Sequence, residues 1–236
     1  MKTWRYDELL RLARKLVQPK ALVLRSSVIK GMSDDEKADE QYWSQGLSFN
    51  CCQFKIVSIA NSIWAPLKWS RPNLKVQFTL PKCDDASMCC NVMSYCKEYA
   101  NHAQVVIYNK QGRLCMRRFL EAKELLHLLT GTVVDGESQR NMVADAFLEQ
   151  SLDGRNFVVD FDKPLSPEAV GFYLAIEVLL PWCLRKELLT MIDQKATTMQ
   201  IAKAFMVPEF VIRHIHNVNF GSRSYLGVSY EWNSRI

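Results

Sequence analysis

The sequence predicts an α+β fold: a small, mostly antiparallel sheet from the first half of the chain packs on helices, and a helical unit follows at the C-terminal end. Three observations carry this expectation. Phe54 to Ile59 is rich in β-branched residues, Leu74, Val76, Phe78 and Leu80 alternate with polar neighbours up to Pro81, and Gln104 to Tyr108 is a short apolar run. Beyond Met116 the apolar spacing changes from two to between three and four, the period of a helix. Finally, Ser166-Pro167-Glu168 combines an N-cap residue, a first-turn proline and a first-turn acid directly before an apolar stretch.

Taken in chain order, Tyr6, Leu9, Leu10, Ala13, Leu16 and Val17 define one face of an amphipathic helix ending near Pro19, with Arg5, Glu8, Arg11, Arg14 and Lys15 on the other face. Met32 to Gln45 is a polar run with one short helix capped by Ser33. The three strands come next, the last closed by the turn residues Asn109, Lys110, Gln111 and Gly112. A helix over Met116 to Thr130 buries Phe119, Leu120, Leu126 and Leu129 and stops at Gly131, where a left-handed residue commonly ends a helix. Another helix is expected over Asn141 to Gln150, with a turn at Gly154 and Asn156. The helix that opens at Ser166 runs to Leu180, before Pro181.

With 236 residues, 48% hydrophobic and 23% charged, the chain has the composition of a folded globular protein. The formal charge of +5 is spread along the chain, so nucleic acid is only weakly supported as a partner. No run of 18 apolar residues occurs, which argues against a spanning helix and a membrane partner. The charged start carries no signal-peptide pattern, and the eight cysteines include the adjacent pairs Cys51-Cys52 and Cys89-Cys90, so reduced thiols and a cytoplasmic location are expected.

The segment richest in chemistry is Lys123-Glu124-Leu125-Leu126-His127. Helical zinc peptidases use His-Glu-x-x-His because residues four apart share a helix face, so two imidazoles grip one ion while the glutamate polarises water. Here the glutamate and the second histidine are present, and lysine occupies the first ligand position. The bland alternative is a surface acid beside an interior histidine, with Lys123 in solvent.

Around this pentapeptide, Val105-Val106-Ile107-Tyr108-Asn109 followed by Arg117-Arg118-Phe119-Leu120-Glu121-Ala122 resembles the ImmA/IrrE family of zinc peptidases, in which a strand ending in Asn leads into an Arg-Phe helix bearing the ligand motif. Glu168 to Pro181 is similar to the acidic helix of that family, and the resemblance implies that Glu168 takes the position of the third metal ligand; Phe172 stands where the family has Asn. Thr197 to Ile215, with Ala202, the tight segment Met206-Val207, Ile212 and Ile215, resembles the helix-turn-helix-like unit that follows the peptidase helices. The resemblance thus implies a zincin-like α+β domain over residues 1–195 and a helix-turn-helix-like unit over residues 196–236.

A protonated lysine has no lone pair and repels a dication. Stripping its proton at neutral pH costs roughly 1.4 kcal/mol per unit below a pKa of about 10.4. Glu124 is therefore expected in the base position of an inactive site, and His127 and Glu168 as vestigial ligands, with the Lys123 ammonium lying between the acids in place of the ion. What the resemblance implies is a bacterial or phage regulatory pseudopeptidase that binds a protein partner, such as a helix-turn-helix repressor, and needs no cofactor. Two other readings stand beside it. One is an active enzyme holding zinc through His127, Glu168 and a further group; the other is a DNA-binding regulator reading through Pro208 to Ile215, where Arg213 and His214 could assist.

Cys83, Cys89, Cys90, Cys96 and His102 lie close in sequence but do not show the spacing of structural zinc sites, so packed thiols are expected. His214 and His216 diverge on a helix and cannot readily share a metal. Trp43, Trp64, Trp69 and Trp182 are expected in the core or at interfaces.

Overall fold

The computed structural model describes residues 3–32, 34, 37, 54–80, 92–109, 114–133 and 164–221. The chain is a mixed α+β protein. In order the elements are α1 (Tyr6–Leu16), β1 (Leu22–Leu24), α2 (Arg25–Lys30), β2 (Lys55–Val57), α3 (Ala65–Ser70), β3 (Lys75–Thr79), β4 (Val92–Tyr99), β5 (His102–Asn109), α4 (Leu114–Thr130), α5 (Pro167–Leu179), α6 (Trp182–Asp193), α7 (Thr198–Phe205) and α8 (Glu209–Gly221). Among the described residues, no single helix is long and apolar enough to cross a membrane.

The three expected strands are divided between two sheets. Strand β2 pairs antiparallel with β1, and β3 pairs in parallel with β5, which also pairs antiparallel with β4. Two of the three pairings are antiparallel, as expected, but the parallel one and the strand β4 were not foreseen. The reason lies in β4 itself: its inward positions are Ser94, Cys96 and Glu98, which lack the apolar alternation that marks a strand. The helix expected over Asn141 to Gln150, and nearly all of the polar run from Met32 to Gln45, lie outside the described residues.

Helix α4 is the axis of the core. It packs on β4, β5 and α5, and nearly all of its side chains from Arg118 to Leu128 are buried. A helix buried on every side is expected to be apolar all round, so Lys123, Glu124 and His127 must find partners inside the protein or stand as uncompensated buried charge. Its neighbour α5 supplies much of the apolar cover, through Val170, Leu174, Ile176, Val178 and Leu179. Burying each such branched side chain contributes roughly 1.5–3 kcal/mol. Ser166 caps α5 by accepting a hydrogen bond from the Ala169 amide at 3.2 Å, with Pro167 in the first turn.

A second buried polar group ties the helices together. The Tyr6 hydroxyl of α1 donates to Glu177 Oε1 of α5 at 2.8 Å, and Arg185 of α6 donates to Glu177 Oε2 at 2.6 Å. Arg118 links α4 to distant backbone by donating to the carbonyl of Met206, at 3.0 Å, and to that of Val57. At the C-terminal end, α7 begins with a capping box between Thr197 and Gln200 and stops at Met206, whose φ of 54° is left-handed. Phe210 of α8 then stacks on Phe172 and meets Phe119 edge-on, joining this unit to the same core.

Candidate functional site

The four residues singled out around the pentapeptide converge. Lys123, Glu124 and His127 project from the middle of α4, and Glu168 enters from the first turn of α5. Lys123 Nζ lies 2.9 Å from Glu124 Oε1 and 2.5 Å from Glu168 Oε1. The side chains of Lys123 and Glu124 are 1% and 0% exposed and that of Glu168 is 14% exposed, so Glu168 alone of these three opens towards solvent. The solvent-facing alternative for Lys123 is therefore excluded.

Burial disfavours the ammonium, but the two carboxylates outweigh it by Coulombic attraction and hydrogen bonding, and the pKa of Lys123 is raised. At Glu168 burial acts to raise the pKa, while Lys123 and then His127 act to lower it, leaving it at about 2. The ion pair is thus charged on both sides throughout the ordinary pH range.

His127 is held by a chain of hydroxyls that follows from the helix end. Gly131, with φ of 67°, turns the chain back so that the Thr132 amide donates to the His127 carbonyl at 3.1 Å. This sets Thr132 Oγ1 at 2.9 Å from His127 Nδ1 and at 2.8 Å from Thr130 Oγ1. Thr130 donates its proton to the Leu126 carbonyl at 2.7 Å. Each hydroxyl has one proton to give: Thr130 therefore accepts from Thr132, Thr132 accepts from the imidazole, and Nδ1 carries a proton. Nε2 points the other way and comes 3.5 Å from Glu168 Oε2.

Three residues of this arrangement were not anticipated. Ser94 of β4 donates to Glu124 Oε1 at 2.6 Å, so that oxygen is shared between a hydroxyl and the ammonium. Thr132 orients the imidazole. Gly171 gives it room, since a β-carbon there would lie 2.2 Å from Nε2. The one signal in the sequence was Gly171 itself: a glycine inside an apolar helix costs roughly 0.5–1 kcal/mol relative to alanine and so needs a packing reason.

The other residues noted in the sequence lie elsewhere. Cys96 is a buried free thiol in β4 whose pKa is raised, first by burial and then by Glu124 and Glu98; Cys83, Cys89 and Cys90 lie outside the described residues. His102 stands at the start of β5, where its ring faces that of Tyr99. His214 is packed beside Tyr173, and Arg213 pairs with Glu209 at 2.7 Å. Phe172 fills the aromatic cluster with Phe119 and Phe210. Trp64 packs against Phe78, whereas Trp69, expected to be covered, is 94% exposed.

Chemically, the site is a closed ion cluster in which one ammonium is shared by two carboxylates. One oxygen of Glu124 is committed to Ser94 and Lys123, and its side chain is closed to solvent, so it is poorly placed to take a proton from a water attacking a substrate. Comparison of the chain with protein-family models, with curated proteins and with solved structures gives no match.

Proposed function

We propose that this chain is a non-catalytic relative of the ImmA/IrrE-type zinc peptidases, which works in regulation by binding a protein partner, a helix-turn-helix repressor being the partner class the resemblance implies. The observation that carries the reading is the Lys123 ammonium seated between Glu124 and Glu168. The residues present do not fit zinc. The first ligand position holds a cation with no free lone pair, and it occupies one oxygen of each acid. Among the described residues, no group of three His, Cys, Asp or Glu side chains is placed to hold a metal ion.

On this reading the lysine preserves the architecture of a metal site without its chemistry. Two carboxylates meeting without a cation would repel and drive the helices apart; the tethered charge keeps α4 and α5 in register. The surface such a protein offers a partner is then retained while water activation is lost. The sequence α7, left-handed Met206, α8 supports the helix-turn-helix-like assignment of residues 197–215. In α8, Glu209 is engaged by Thr198 and Arg213, and Phe210 is turned into the core, so the DNA-reading alternative is the less favoured.

Elemental analysis of the purified chain tests the proposal, together with affinity capture of partners from its native host. The expected result is less than stoichiometric zinc and recovery of an intact regulator. Stoichiometric zinc in the unaltered protein, or chelator-sensitive cleavage of the recovered partner, would overturn it.

A further inference from the structure

The β3–β5–β4 sheet has an inner face on α4 and an outer face whose chemistry the reading above does not use. Strand register assigns each residue to a face. Lys75, His102 and Tyr99 form one cross-strand row, and Gln77, Gln104 and Lys97 form the next. The intervening rows, Val76–Ala103–Glu98 and Phe78–Val105–Cys96, point the other way, and there Ala103, Val105 and Cys96 are fully buried. Glu98, the one acid in these rows, is therefore on the inner side, where it pairs with Arg71.

On the outer face Lys75, Gln77, Lys97 and Tyr99 are exposed and His102 and Gln104 half-buried, whereas Val106 and Tyr95 in the third row are buried, so the open part is the end nearest the β4–β5 turn. Tyr99 and His102 sit side by side with ring centroids 6.0 Å apart and planes 30° apart, and Tyr99 is 55% exposed. Lys97 stands one row from the aromatic pair, and its ammonium lies over the ring of Tyr95 in the row beyond, 5.7 Å from the centroid. No carboxylate stands among the described residues of this face. It offers two flat rings at one edge, lysines on both outer strands and two amides between them.

We infer that the outer face of the β3–β5–β4 sheet is a docking surface for single-stranded nucleic acid, with unpaired bases stacking on Tyr99 and His102 and phosphates meeting Lys75 and Lys97. Every base has a π-face, and a cationic sheet bearing aromatics reads strands in this way. A duplex is disfavoured because its bases are not free to stack. An acidic peptide would match the lysines but make no use of the ring pair, which is what decides for nucleic acid.

Fluorescence anisotropy of the full chain with labelled oligothymidylate and oligouridylate of about twelve nucleotides, within the usual range of site sizes, tests the inference. Either strand should bind, with affinity falling as salt rises. Tyr99→Ala is expected to weaken binding by about five-fold or more, the size of one lost stack. Tyr99→Phe should retain binding, and Lys75→Glu with Lys97→Glu should abolish it. Tyr99 lies exposed at a hairpin end, so its replacement leaves the fold intact, and circular dichroism checks this for every variant. The inference is overturned if neither strand binds the unaltered chain, if Tyr99→Ala binds as tightly, or if polyglutamate displaces the strand as well as unlabelled oligonucleotide does. Metal content and partner capture read the proposed function independently of this experiment.

Discussion

The imidazole of His127 rests on the bare backbone of Gly171, so near that a β-carbon on residue 171 would stand 2.2 Å from Nε2 and 2.5 Å from Cε1. Helix propensity favours alanine here by roughly 0.5–1 kcal/mol, whereas overpacking a filled core costs about 1–3 kcal/mol. Gly171→Ala is therefore expected to lower stability by about 2 kcal/mol, as measured by urea unfolding. In a His127→Ala background the same methyl should cost far less, because the space it needs has been vacated. A stabilising Gly171→Ala in the otherwise unaltered protein would contradict the contact.

Lys123→Met removes the ammonium and leaves two buried carboxylates facing each other. Breaking a buried ion pair from one side costs roughly 3–5 kcal/mol, and that loss is expected at pH 7. The pH dependence should then invert. In the unaltered protein, the folded pKa of Glu168 is depressed from 4.5 to about 2, so its contribution is present above the unfolded value and is lost as pH falls towards the folded one. Without the ammonium the acids resist ionisation together, and acidification relieves their repulsion. Unfolding curves of the two proteins should accordingly converge as pH drops from 7 towards 4; a constant gap would argue against mutual repulsion.

Acid should also act through His214, by a separate route. Burial pushes its pKa down from 6.5 to about 4, against the pull of Glu177 and with the repulsion of Arg185, while the Tyr173 ring stands 5.6 Å away. The unfolded chain thus takes up a proton before the native one does. Stability is full above about 6.5 and falls as pH drops to about 4, by an amount on the order of 3 kcal/mol. His214→Phe should flatten this limb of the stability profile and leave the lower one, due to Glu168, in place. Denaturant melts at half-unit pH intervals separate the two.

Thr132→Val keeps the shape of residue 132 and deletes the hydroxyl that receives the Nδ1 proton of His127 at 2.9 Å. An unsatisfied buried donor costs about 1–3 kcal/mol, so a loss of that size is expected. Nitrogen-15 chemical shifts of the ring give the sharper readout: Nδ1 should be protonated in the unaltered protein, and its resonance should shift or exchange more rapidly in the variant. A bare Nδ1 in the unaltered protein would contradict the hydroxyl chain.

Much of the helical half was legible from local chemistry. The start of α5 at Ser166-Pro167 and the end of α4 at Gly131 are each written in a few adjacent residues, because capping involves neighbours in sequence. The sheet was less legible. The parallel pairing of β3 with β5 depends on where the chain returns, and β4 turns Ser94 inward, a residue whose type does not announce burial. Ser94 escaped notice for that reason, although it holds the carboxylate that the motif put forward.

The sequence by itself determined that Lys123, Glu124 and His127 share one stretch of helix, with the lysine and the histidine four residues apart on one face; helix geometry requires nothing more. Only the tertiary structure decided that this stretch is buried on all sides, that Glu168 comes to the ammonium at 2.5 Å, and that Gly171 opens the space for His127. The physical reason is that an isolated helix leaves a lysine in water, where its charge needs no partner. Packing α4 between a sheet and α5 removes the water, and the charge is then tolerated because Glu124 beside it and Glu168 from a distant segment supply opposite charges.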